Sequence, residues 1–227
     1  MDHTVSHNVE QKVSSVKFSL PERALAHLFS IVFHPLFIPT MAVAYLVYLQ
    51  PGYFLGVSSG EKERIIIRVA VNTIFFPGLT VLLLKGLGFI KSIFLRTQKE
   101  RIIPYVAANI FYFWVFLVFK NQGDMPPIAT SFLLGIFLSS SLGLIVNSYF
   151  KISMHALGMG SFAGLMLMII YSGFPFGTFL PLMVILFLAG IVCTSRLMVS
   201  NHTPFDIYSG LIIGILCQAI GYLFFAA

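Results

Sequence analysis

Carboxylates are scarce in this sequence. Asp and Glu together number eight in 227 residues. Asp2, Glu10, Glu22, Glu61, Glu63 and Asp124 fall in polar tails or loops, and only Glu100 and Asp206 lie near other reactive side chains. Chemistry that holds a divalent cation on a diphosphate needs several carboxylates converging on one ion. This chain cannot build such a cluster, so no metal site and no cofactor is expected. Charge of either sign is sparse as well, at 10% of the chain, against about 25% in a soluble domain. There are two cysteines, Cys193 and Cys217, each inside an apolar run. Their spacing offers neither a disulfide framework nor a metal motif, and buried free thiols are expected. The first 22 residues are polar and contain no apolar core, so no cleavable leader is expected there.

What fills the chain instead is hydrocarbon. Hydrophobic residues make up 58% of it, with 24 Phe. A water-soluble fold of this length could not hide that much apolar surface. The sequence predicts an all-α, polytopic transmembrane helix bundle of about seven spans, at about 20 residues each. Residues 1–22 read as a polar N-terminal tail, and residues 23–227 as a single transmembrane domain. The net charge of +6 fits the positive-inside bias and contact with anionic head groups. The expected partners are therefore membrane lipids and not nucleic acid.

The predicted spans cover residues 24–49, 64–84, 104–119, 128–146, 156–171, 178–193 and 205–225. His34-Pro35 and Pro39 predict a kink in the first, and Pro77-Gly78 a bend in the second. His34-Pro35 could line a site if its helix end faces the same side as the junctions, but His34 lies mid-span, where helix-to-helix hydrogen bonding is the expected role. Residues 85–104 are too charged to span; Phe89, Ile90, Ile93, Phe94 and Leu95 suggest a helix lying in the interface. Polar junctions follow the second, fourth and sixth spans. An even number of crossings returns the chain to its starting side, so all three should share one membrane face.

The last junction holds Ser195, Arg196, His202, Thr203, Pro204 and Asp206. An arginine can grip a phosphate with two parallel hydrogen bonds. A histidine can attack phosphorus if a carboxylate holds its other ring nitrogen, and His202 and Asp206 stand four residues apart. A plainer reading is open: Thr203 and Asp206 form a capping box, and Arg196 snorkels to the head groups. The fourth-to-fifth junction adds Lys151, Ser153 and His155. Ser153, with the amides that open the next helix, could bind anionic oxygens, and His155 could protonate a leaving oxygen.

Ser195-Arg196, five residues, His202, three residues, Asp206 resembles the third signature motif of the type 2 phosphatidic acid phosphatase superfamily, complete in residue type and spacing. Ile152-Ser153-Met154-His155 resembles the second motif, Pro-Ser-Gly-His, with serine and histidine kept and proline and glycine replaced. The first motif, Lys, six residues, Arg-Pro, is matched only loosely. Anchored on Pro104, it puts Arg96 at the lysine position and Ile103 at the arginine position, with Arg101 two residues early. The resemblance spans residues 90–215. It implies a metal-independent hydrolase. Arg196, Arg101, Arg96, Lys99 and Ser153 would bind the phosphate, His202 would attack it, Asp206 would fix the tautomer of His202, and His155 would protonate the leaving lipid alkoxide.

The implied substrate is a lipid phosphate or diphosphate, in a multi-pass protein of the cell membrane. Two other classes stay open. One is a catalytically degenerate membrane protein on the same scaffold that binds or moves lipids. The other is a phosphotransferase that passes the phosphate to an alcohol. Ten of the fourteen Lys and Arg residues fall on the N-terminal side, which by positive-inside logic is cytoplasmic; with Arg96, Lys99, Arg101, Lys151 and Arg196 set aside for phosphate, five stand against four and choose no side, and the resemblance implies an outward site.

Overall fold

The computed structural model describes residues 18–93, 97–122, 125–173, 177–200 and 202–225. Among them the regular elements are helical: α1 (Leu20–Val32), α2 (Ile38–Leu49), α3 (Ser59–Gly86), α4 (Gln98–Lys120), α5 (Pro127–Asn147), α6 (Met154–Tyr171), α7 (Phe179–Val199) and α8 (Pro204–Phe225), with a single 3₁₀ turn at Pro51–Phe54. The helices α3 to α8 are each long and apolar enough to cross a bilayer. The protein is thus an all-α bundle whose span count is close to the seven expected.

Capping chemistry sets where helices begin. Ser19 with Glu22, Ser58 with Glu61 and Thr97 with Glu100 form reciprocal capping boxes that start α1, α3 and α4. In each, the serine or threonine oxygen and the glutamate carboxylate satisfy amides that the first turn leaves orphaned. The Thr97 box corrects the expectation for residues 85–104. Among the described residues, no helix lies between Gly86 and Gln98. The chain turns after Gly86 and α4 opens at Gln98, six residues earlier than expected, so that Pro104 falls inside the helix. Ile90 is buried and Glu100 accepts from the Lys91 amide at 3.1 Å. Phe94 and Leu95 lie outside the described residues.

Prolines shape the first two expected spans. The kink predicted near Pro35 is a full break. α1 stops at Val32, and residues 33–37 turn through short hydrogen bonds from His34 N to Ile31 O and Phe37 N to His34 O before α2 resumes. The expected bend near Pro77 is a π-helical turn over Val71–Phe75, directly ahead of the proline. Such a turn absorbs an extra residue where the regular ladder is interrupted.

The core that positions everything else is α8, packed between α6 and α5. Gly160 and Gly164 on α6 face Leu211, Ile215 and Gln218 of α8, while Gly210 and Gly214 on α8 face Ser153, Leu157 and Ser161. A Cβ on Gly160 would run into the Leu211 carbonyl, and one on Gly214 would lie 2.6 Å from the Ser161 amide nitrogen. Both obstacles are backbone and cannot swing aside. Small residues four apart let helices touch in lipid, where hydrophobic burial supplies no force between them. Around this contact, large apolar side chains such as Trp114, Phe187 and Leu223 remain exposed, as a lipid-facing surface requires.

Gly214→Ala is expected to force α6 and α8 apart and cost about 1–3 kcal/mol. Gly190 on α7 has open space at the Cβ position, so Gly190→Ala should leave stability unchanged or slightly raised. Thermal unfolding in detergent checks the pair. Equal midpoints for both variants would mean that the α6–α8 contact is looser than described.

Candidate active site

The three polar junctions meet at one end of the bundle. Arg101, in the first turn of α4, donates from Nη1 to the Ile152 carbonyl at 3.2 Å. The Ser153 amide donates to the Asp206 carbonyl at 3.1 Å. His202 lies 3.0 Å from the Lys151 carbonyl through Nδ1. These main-chain ties hold the entrance of α6 against the entrance of α8, with the start of α4 alongside.

His202 is the best defined of the group. It is 9% exposed. A carbonyl oxygen can only accept, so Nδ1 carries the ring proton in its bond to Lys151, and Nε2 is left with a lone pair. Asp206 Oδ2 stands 3.7 Å from the same Nδ1, beyond hydrogen-bond range. It accepts instead from the Thr203 amide at 2.8 Å, while Thr203 Oγ1 accepts from the Asp206 amide at 3.2 Å. The capping box and the acid–histidine pairing therefore coexist. The Lys151 carbonyl holds the tautomer directly, and Asp206 adds a nearby negative charge.

Cations surround this ring. Burial is the main force pushing the His202 pKa below the ordinary imidazole range, and Arg101, Arg196 and Lys151 push it further in the same direction, with Asp206 opposing. Lys151 is likewise lowered, first by burial and then by the like charge of Arg101. His202 thus stays neutral where a free histidine would be half protonated.

Arg196, in the last turn of α7, donates from Nη1 to Ser30 Oγ at 3.3 Å. Its Nε is buried and has no hydrogen-bond partner. A buried N–H left unsatisfied costs about 1–3 kcal/mol, and an anionic oxygen placed there would remove that cost. Ser153 caps α6, accepting from the Ala156 amide at 3.4 Å, and is fully buried; its hydroxyl proton is still available to donate. His155, in the first turn of α6, donates from Nε2 to the Ser30 carbonyl at 2.9 Å.

One expected residue is not brought in. Lys99 is exposed on the first turn of α4 and does not figure among the cations acting on His202. Arg96 lies outside the described residues. Ser30 was missed, and His34 had helix bridging as its expected role. Ser30 and His34, from α1 and the break after it, reach the site from a segment with no motif. The His34 ring stands edge-on to that of His155, with centroids 5.5 Å apart, and His34 Nδ1 accepts from the Leu36 amide at 3.4 Å. The expectation that His34 lies mid-span is corrected. The helix breaks there, and the ring sits in the gap. Pro35 and Pro39 were the available signal, because irregular backbone at membrane depth is tolerated where it lines a buried site.

The family model of the PAP2 superfamily matches residues 105–227. Ser153, His155, Arg196, His202 and Asp206 lie inside the match; Arg101 and everything contributed by α1 lie before it. Searches of curated proteins and of solved structures gave no match. The match takes in more than half of the 227 residues and the two helix entrances that hold His155 and His202, and on that ground the chain belongs to the PAP2 superfamily.

Proposed function

We propose that this membrane protein hydrolyses a lipid phosphate or lipid diphosphate through a phosphohistidine at His202. The observation that carries the reading is the state of His202: buried, held by the Lys151 carbonyl with Nε2 unprotonated, and ringed by Arg101, Lys151 and Arg196. A neutral imidazole among buried and half-buried cations is suited to an anionic electrophile, since the cations neutralise the phosphate without quenching the nucleophile.

The steps follow from these groups. Phosphate oxygens take the Arg196 Nε–H and the charges of Arg101 and Lys151. Nε2 of His202 attacks phosphorus as the P–O bond to the lipid breaks. Nε2 of His155 donates to the Ser30 carbonyl, so its Nδ1 starts with a lone pair; Nδ1 takes the proton of the incoming phosphate monoanion and passes it to the departing alkoxide. The phosphorylated His202 ring is cationic, and Asp206 at 3.7 Å offsets that charge. Water then attacks phosphorus, gives its proton back to His155, and frees inorganic phosphate and the neutral ring. Phosphoryl transfer depends mainly on positioning and charge, so cations suffice where carboxylates are scarce. The apolar bundle around the site suits a substrate whose tail stays in the cell membrane.

Purified protein in detergent with chelator present should release phosphate from phosphatidate or from a polyprenyl diphosphate. His202→Ala should lower the rate at least about 10³-fold. Release that survives this substitution would reduce Asp206 to a cap and Arg196 to a snorkelling side chain, and no release from either lipid would favour a binding or transport protein on the same scaffold.

The pH profile is a second test. Because the His202 pKa is lowered, the acid limb of kcat/KM should fall below the ordinary imidazole value of about 6.5. Lys151→Gln removes one depressing charge, so its acid limb should move to higher pH while activity drops. An unmoved limb on the same substrate would mean that His202 does not control it.

A further inference from the structure

α1 and α7 lie against each other, and between them runs an open groove of about 490 Å³, within the roughly 300–1,000 Å³ typical of small-molecule sites. Leu25 and Phe29 wall it on α1, and Phe187 and Ile191 on α7. Each pair is spaced to share one helix face. Gly190 forms part of the α7 wall and has nothing within 4 Å of its Cβ position. Ser195 also lines the groove, and its chain neighbour is Arg196, whose buried Nε lacks a partner. Glu22 is the acidic residue of the lining, but its carboxylate is engaged by Ser19 N and Oγ at 2.7 and 2.8 Å.

We propose that this groove seats a hydrocarbon chain of the substrate while the phosphate reaches Arg196. The proposal rests on the phosphatase reading and adds to it where the tail lies. Three observations argue for it. The lining is apolar except at Glu22 in the cap of α1 and at Thr194 and Ser195, which lead up to Arg196, so an amphipathic ligand has one orientation that matches it. Ser30, on α1 next to Phe29, binds both Arg196 and His155, so the helix that forms the groove wall also fixes two groups of the site. The glycine at position 190 leaves the wall recessed at mid-groove, where any larger side chain would fill it.

The test compares wild type with Gly190→Leu, using the full chain in detergent and phosphatidates with palmitoyl or hexanoyl chains. Gly190→Leu should lower kcat/KM for the palmitoyl lipid at least about tenfold more than for the hexanoyl lipid, with an unchanged unfolding midpoint. Equal losses on both, or no loss, would overturn the proposal. A second measurement does not depend on turnover. A phosphatidate with a diazirine midway along one acyl chain should label α1 and α7 more strongly than a diacylglycerol with the same chain, and Gly190→Leu should suppress the difference. Equal labelling by both lipids would mean that ordinary bilayer lipid fills the groove, and labelling confined to other helices would place the tail elsewhere; either result sinks the idea. If wild type turns over neither substrate, the phosphatase reading fails, and the labelling alone decides the groove.

Discussion

The hydrogen bond from the Ser153 amide to the Asp206 carbonyl, 3.1 Å long, forms only because α6 and α8 touch backbone to backbone. Gly160, Gly210 and Gly214 permit that approach. One turn of chain on either side of the bond then carries Lys151, Ser153 and His155 on one strand of the site and His202 and Asp206 on the other. Widen the helix contact by the thickness of a methyl group and the Lys151 carbonyl leaves the imidazole. The chemistry of the site is thus set by packing well below it.

A second constraint is electrostatic. Three cations share a small volume with a buried histidine, and among the described residues Asp206 is the one carboxylate shown acting on that ring. Like charges packed this closely repel one another, and an anion among them would lower that cost. The unpartnered Nε of Arg196 is the local sign of it. The same repulsion favours an anionic ligand over a neutral one.

The third-motif spacing was legible because a four-residue separation at a helix start has one geometric meaning: His202 and Asp206 stand one turn apart. The shared face of the three junctions was legible by counting spans. Other features were not. The group that fixes the His202 tautomer is the main-chain carbonyl of Lys151, and every residue has a carbonyl, so no side-chain pattern marks it. Ser30 and His34 were hidden because Pro35 announces a distortion without saying which way the broken ends point. The four-residue spacings Gly160/Gly164 and Gly210/Gly214 went unread in the sequence. Their meaning as the central contact became clear only once α6 and α8 were seen to be neighbours. Pro104 misled, since a proline near a predicted helix start suggested the start itself, while the Thr97 capping box outranked it.

Ser30 accepts from both His155 and Arg196, yet it stands on the first described helix, while His202 and Asp206 stand at the start of the last. A chain made from its N-terminus therefore has one half of the site long before the other. Ser30, Arg101, Lys151 and His155 precede α7, Arg196 comes at the end of α7, and His202 and Asp206 come only with α8. The cations are thus made before the imidazole and the carboxylate that they surround, and the helix that brings those two is the one whose contact with α6 sets the site.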